Sequence, residues 1–364
     1  MNKLSSSKTK VEKNVRKKQL LSGNLNWQLI GWMSLSIRFV QGWIFWGGGS
    51  RRFIYDPQKL NPYAPQWMAN KIQSAMPGAL FDLTSVVSFL LHHFIFLYIA
   101  IICFSLLELL SGLGLIFGFC TRACAMATAL ISIILMLLFG WQGSTCLDEW
   151  TMAVSNLAMG LTLVLTGGSV YSFDVWLMKR HPKLLQKQWF LLLNSGPWSF
   201  ISLRRTAIAF FIFTVFFTVG TYDFYRGAVL SRYHTGPVSA DVFHLSLSDG
   251  HLSSNGSVRF KLNVDAGPST VPIYIVRVDL LDSSNKIIET WPAATLRSLS
   301  KTSIINSYSY NKIDTGMYGL IAPESAKAEV SLPEQQQITL SAGSYLLQVY
   351  TVDGKRWDLN LDLK

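Results

Sequence analysis

The sequence predicts a membrane α-helical bundle, four helices plus a fifth span, followed by a C-terminal extracytoplasmic all-β sandwich of immunoglobulin-like type. Three observations carry that expectation. Half of the 364 residues are hydrophobic and the mean hydropathy is +0.29, too apolar for an ordinary soluble chain. The apolarity is uneven: long apolar runs fill residues 27–226, whereas 227–364 read as a polar, water-soluble domain. Finally, Arg38 stands inside the first apolar run, where a charge in lipid costs several kcal/mol unless it is paired or faces protein. Glu108, inside the second apolar run, is its expected partner.

Taken in order, the chain opens with a basic tail, residues 1–26, holding Lys3, Lys8, Lys10, Lys13, Arg16, Lys17 and Lys18 against Glu12. Five candidate spans follow at 27–46, 89–118, 123–141, 150–168 and 204–224, each apolar enough to cross about 30 Å of hydrocarbon at about 1.5 Å per residue. The second is longer than a crossing needs, so it is expected to tilt or to project beyond the membrane. Residues 27–168 form the expected four-span domain, 169–203 a basic linker and 204–226 the fifth span. The linker region holds Lys179, Arg180, Lys183, Lys187, Arg204 and Arg205 against Asp174. The net charge of +11 therefore concentrates in two segments that share one side of the membrane if there are five spans. Basic segments stay in the cytoplasm, which puts the N-terminus inside and residues 227–364 outside. Topology and anionic lipid account for the basic surplus, and nucleic-acid binding is excluded as its reason. The first apolar run has no small-residue cleavage site, so the N-terminus is expected to be retained.

The C-terminal segment alternates with period two. Val258, Phe260, Leu262 and Val264 interleave with Arg259, Lys261, Asn263 and Asp265, the pattern of a half-buried strand. Trp357, Leu359, Leu361 and Leu363 repeat it, and Asp353-Gly354 supplies a hairpin turn after a strand at 344–352. Several short strands separated by turns predict a sandwich. The four cysteines, Cys103, Cys120, Cys124 and Cys146, all precede this domain, so no disulfide staples it. Cys103, Cys120 and Cys124 are expected as small packing residues. Cys146 differs, because it lies in the short polar turn Trp141–Trp150. His234, His244 and His251 lack metal-ligand spacing, and no Gly-rich nucleotide loop, haem, flavin or metal motif is present.

The residues also carry a resemblance. Ser36–Arg52, Glu108–Arg122, Gly140–Trp150 and Leu165–Asp174 resemble the DoxD family, part of the broader DoxX-like group of small four-helix membrane proteins. From about residue 205, one span plus a β-domain is similar to DoxA. The chain thus resembles a DoxD–DoxA fusion. That resemblance implies a membrane-bound thiosulfate:quinone oxidoreductase, which joins two thiosulfates into tetrathionate and passes two electrons to quinone. Its partners would be thiosulfate, membrane quinone and the lipid bilayer. A homo-oligomer is left open.

Under that implication several residues gain roles, each beside a structural reading. Arg51 and Arg52 suit a dianion, since guanidinium offers charge and a rigid donor fork; headgroup anchoring explains them equally. Cys146 could form a transient thiosulfate adduct, with Arg51 or Arg52 favouring the thiolate; a packed, inert thiol is the alternative, and Asp148 and Glu149 would oppose ionisation. Those two acids are candidate proton relays, or simply residues favoured by a helix N-terminus. Arg38 and Glu108 are candidates for a quinone headgroup site or proton path, against a structural ion pair. His92 could donate a proton to quinone and Trp43 could touch its ring, but interfacial anchoring suits both. Rival readings are a membrane scaffold presenting its β-domain to a partner enzyme, and a quinone-linked oxidoreductase for another sulfur compound.

Overall fold

The computed structural model describes residues 27–143, 148–227, 230–234 and 236–363. Residues 27–33 are helical and stop at Ser34. The α-helices that follow are α1 (Leu35–Ser50), α2 (Met68–Ser74), α3 (Leu83–His92), α4 (Phe94–Phe117), α5 (Thr121–Phe139) and α6 (Asp148–Thr166). After them come α7 (Phe173–Arg180), α8 (Gln188–Leu193), α9 (Phe200–Arg226) and, within the β region, α10 (Ala293–Arg297). By length and composition α4, α5 and α9 can each cross a membrane. Helices α1 and α6 coincide with the other two expected spans; α1 has 16 residues and buries Arg38 and Gln41. The long second stretch does not run through as one helix. It breaks at His93, whose φ of −120° and ψ of 86° leave the helical region, and this separates α3 from α4.

The chain divides into two compact units. One comprises residues 27–60 together with Ile101–Ile134 and Met152–Thr221; the other comprises Asn61–Ala100, Leu135–Thr151 and Tyr222–Lys364.

In the first unit, small residues bring helix backbones together, as helices do where lipid removes any hydrophobic incentive to associate. A Cβ on Gly112 would lie 2.2 Å from the Trp46 nitrogen, and one on Gly49 2.6 Å from the Leu109 nitrogen. Thus α1 and α4 touch through main chain. Gly160 seats α6 on α5 in the same way, 3.1 Å from the Ala125 carbonyl and the Ala129 methyl.

The turn regions of this unit are fastened by two buried charges. Asp174, fully buried, accepts hydrogen bonds from the Cys120 and Thr121 main-chain nitrogens, the Thr121 and Ser195 hydroxyls and the Asn194 amide, at 2.7–3.0 Å. Arg122, 1% exposed, donates to the carbonyls of Val164 and Gly196 at 2.9 and 2.7 Å and also to Leu191. Its guanidinium lies 4.4 Å from the Trp198 ring centre. The Val164 carbonyl belongs to the last turn of α6, where helical carbonyls lack partners and a cation is favoured.

Cys103 departs from expectation: it is exposed on α4 rather than packed. The mean surroundings of a lipid-facing helix are themselves apolar, so an outward thiol meets no solvent penalty there.

Among the described residues of the second unit, ten strands form two antiparallel sheets. They are β1 (His244–Leu252), β2 (Val258–Ala266), β3 (Ile273–Leu281), β4 (Ile287–Pro292), β5 (Ile304–Asn306), β6 (Asp314–Gly316), β7 (Gly319–Ala322), β8 (Lys327–Leu332), β9 (Gly343–Thr351) and β10 (Arg356–Leu363). One sheet runs β1-β2-β8-β5 and the other β10-β9-β3-β7-β6, with β4 also paired to β3. Phe260, Leu262 and Val264 from one sheet and Ile275, Leu280, Leu347 and Val349 from the other share a single core. Each such side chain stabilises the fold by about 1.5–3 kcal/mol through burial. The expected hairpin is present: Gly354, at φ +81°, closes the turn between β9 and β10, a backbone region that glycine enters without strain.

Candidate functional site

Two charged places stand out, one in each unit.

In the first unit, Arg38 is buried but is not paired with Glu108. Its Nη1 and Nη2 donate to the carbonyls of Val170 and Tyr171 at 2.9 and 2.8 Å. The expected Arg38–Glu108 pair is thereby corrected. Glu108 lies opposite Gly48, where a Cβ would sit 3.5 Å from its carboxylate, and its ion-pair partner is Arg52. Ten residues separate Arg38 from Gly48 along the helix, about 15 Å of rise, which places Arg38 out of reach. The Arg52 guanidinium also lies 5.7 Å from the Phe104 ring centre. Arg51 beside it is exposed. A Cβ at Gly48 would be in van der Waals contact with the carboxylate, so this face of α1 is the one that meets Glu108.

Trp43 is 53% exposed and stacks with Phe39 and Trp46 at 5.9 and 4.7 Å. This is an outward aromatic stripe of the kind that contacts lipid. An apolar groove of about 1160 Å³ also opens on this unit, with Phe117, Phe119, Cys120, Phe173 and Trp176 in its wall and no charged side chain among its lining.

The second unit holds a polar junction that sequence reasoning passes over. Helix α2 presents Lys71, whose Nζ donates to Gln142 Oε1 at 2.7 Å and lies 3.5 Å from Glu149 and 5.3 Å from the Phe139 ring centre. Gln142 is oriented by its own amide, which donates to the Ser74 carbonyl at 2.9 Å. Next to it Trp141 Nε1 donates to the Ala75 carbonyl at 3.0 Å. Arg226, at the end of α9, donates to the Gly143 carbonyl at 2.6 Å. The segment leading into the polar turn is therefore pinned by donors from α2 and α9. Cys146 itself and the Asp148 side chain lie outside the described residues; the backbone at Asp148 opens α6, with Glu149 in its first turn. That is the placement in which acids favour a helix N-terminus.

The β region closes over the other side of α2. Gln73 Nε2 donates to the Ser325 carbonyl at 2.9 Å. Asn311 donates through its side chain to the Asn70 carbonyl at 2.8 Å and through its main chain to Asn70 Oδ1 at 3.2 Å. Between them Glu324 is 2% exposed, and neither carboxylate oxygen has a hydrogen-bond partner among the described residues. Burial pushes its carboxyl up to about 8, with the Lys71 ammonium opposing. His92 is exposed; its Nδ1 lies 2.7 Å from the Ser88 carbonyl and its ring 5.0 Å from that of Tyr308.

A cation with a rigid amide partner, a displaceable carboxylate and an aromatic floor can bind a small dianion, as charge-assisted hydrogen bonds are the strong ones. One signal for Lys71 was visible. Residues 47–88 carry more basic than acidic side chains, but Arg51 and Arg52 absorb that surplus in any reading by eye. Glu324 gave none, since its burial depends on a helix some 250 residues earlier.

Comparison with known proteins bears on both units. Residues 33–210 match the family model described as TQO small subunit DoxD, and residues 240–360 match TQO small subunit DoxA. Among solved structures, the chain is similar to CopC from Methylosinus trichosporium OB3b at 15% identity, covering 33% of this chain and 92% of that one, with a TM-score of 0.16.

Proposed function

We propose, from a chain that belongs to the DoxD family over residues 33–210 and to the DoxA family over residues 240–360, that this protein oxidises thiosulfate and reduces membrane quinone. The observation that carries the reading is the presence of both families in one chain, in the order DoxD then DoxA. The reaction joins two thiosulfates into tetrathionate, releases two electrons, and delivers them with two protons to a quinone, giving quinol.

Lys71 is the proposed anion ligand, and Gln142 orients its ammonium. The incoming dianion takes the place of Glu149 at the Lys71 ammonium. In the covalent version, the Cys146 thiolate and the terminal sulfur of thiosulfate form an S–S bond as two electrons leave for quinone. A second thiosulfate attacks the outer sulfur of that adduct, so that tetrathionate departs and the Cys146 thiolate returns. Arg52 with Glu108 is the proposed place for the quinone headgroup, since a fixed cation stabilises charge developing on a carbonyl oxygen. Arg51 is kept as a second anion contact, and Arg38, Trp43, His92, Asp148 and Glu149 as candidates for quinone and proton contacts. The apolar groove has no cation, which favours the charged pair over it as the place of reduction. The protein would sit in the cytoplasmic membrane, N-terminus inside and β-domain outside, as the basic segments require.

Purified full-length protein should reduce a water-soluble quinone analogue when thiosulfate is added. No thiosulfate-dependent reduction by folded protein would remove this reading, and reduction with a different sulfur compound would redirect it. Lys71→Met should raise the thiosulfate KM about 10–100-fold, the range of a lost hydrogen bond to a charged group. Cys146→Ser should abolish turnover; undiminished turnover would exclude the covalent adduct.

A further inference from the structure

We propose that Glu324 is a positioning residue that holds a proton for the reaction, supplied by the β-domain and coupled through Lys71 to occupancy of the anion position. The inference rests on the reading of Lys71 as the anion ligand.

The geometry comes first. Glu324 follows β7 and is enclosed by the packing of α2 against the 311–325 segment, with Gln73 and Asn311 fastened to main-chain atoms on either side. Among the described residues, both of its oxygens lack a donor, and so does the oxygen of fully buried Gln73. A junction with unfilled acceptors and too few donors is costly with an ionised carboxylate, because a buried acceptor without a partner is destabilising and a charged one more so. A proton on Glu324 removes the charge and turns one acceptor into a donor. The raised titration point, about 8, agrees with that chemistry: the carboxyl is neutral below it and ionised above.

Among the described residues, Lys71 is the charged group whose field bears on Glu324, and the same ammonium meets Gln142 and Glu149. Neutral Asn311 donates to the Glu324 carbonyl, and neutral Ser325 follows it in the chain. When Lys71 is turned to a bound dianion, its attraction for an ionised Glu324 is offset by the new negative charge. Like charges nearby disfavour ionisation, so anion binding makes Glu324 hold its proton more firmly. Linkage then requires proton uptake when thiosulfate binds at a pH near that titration point. The direction suits the overall reaction, in which two thiosulfates, one quinone and two protons give tetrathionate and quinol: the protein loads a proton as it loads the reductant. Once tetrathionate leaves, Lys71 again favours ionised Glu324, and the proton is released.

Infrared difference spectra of the full-length protein test this directly. The wild type should lose a protonated-carboxyl band as pH rises through about 8, and Glu324→Gln should lack that band. Saturating thiosulfate should move the loss to higher pH by half a unit or more. The pH profile of kcat should lose its alkaline limb in Glu324→Gln, and Glu324→Asp should restore one with a displaced midpoint. Where Glu324→Gln fails to fold, the wild-type titration with and without thiosulfate decides. A band absent at pH 7, or a midpoint unmoved by thiosulfate in protein that turns thiosulfate over, overturns the proposal. Absence of turnover together with an unmoved midpoint instead removes the reading of the reaction and, with it, the coupling.

Discussion

At the residue scale, the buried charges divide by what they meet. Arg38, Arg122 and Asp174 are surrounded by hydrogen-bonding groups of the protein itself. Such groups hold turns in place. Glu324 is the opposite case, enclosed but unpartnered, and a group in that condition has a reason to change protonation. Asp174→Ala should show the structural kind plainly. Five donors lose their acceptor, and a loss of about 3–5 kcal/mol is expected, as when one partner of a buried ionic network is removed. The check is the thermal midpoint of the detergent-solubilised protein, which should fall by several degrees. The internal arginine was legible in the sequence as an oddity, but its partner was not. Arg38 and Glu108 both stand in apolar runs, and nothing in one dimension says that Gly48, rather than Arg38, faces the acid.

At the scale of elements, helix packing here is a matter of missing side chains. The run Gly47-Gly48-Gly49 reads as one flexible feature, yet its members have separate tasks. Gly49 touches Leu109 main chain, Gly48 faces the Glu108 carboxylate, and a Cβ at Gly47 meets nothing within 4 Å. Gly47→Ala should therefore leave the thermal midpoint unchanged or slightly raised, since alanine stabilises a helix by about 0.5–1 kcal/mol over glycine. Gly112→Val should force α1 from α4 and lower the midpoint, or prevent accumulation of folded protein. Equal effects from the two substitutions would contradict the packing. Strands were well read from alternation, because each needs only its own period: β2 buries Val258, Phe260, Leu262 and Val264 as expected. The seven-residue helix α2 was not anticipated. Its sequence, Met68-Ala-Asn-Lys-Ile-Gln-Ser74, is too short and too mixed to show a period, and it is held by contacts from distant segments rather than by its own propensity.

At the scale of the whole molecule, the expected succession of helical bundle and β-sandwich is present, and it was readable because composition changes abruptly after residue 226. The proposed sidedness rests on the charges and is open to test. If basic segments stay inside, protease added to intact spheroplasts should remove residues 227–364 while sparing the linker at 169–203. Cleavage in the linker alone would reverse the orientation.

Within the second unit, α2 recognises the β-domain through main-chain groups: the carbonyl of Ser325 takes the Gln73 amide, and Asn311 engages both the carbonyl and side chain of Asn70. A handshake with backbone is blind to most side chains. Parts from different relatives ought to be exchangeable at this seam wherever the loop keeps its path, an asparagine stands at 311 and an acid at 324. Hybrids without the acid would retain their grip and lose only whatever the acid does.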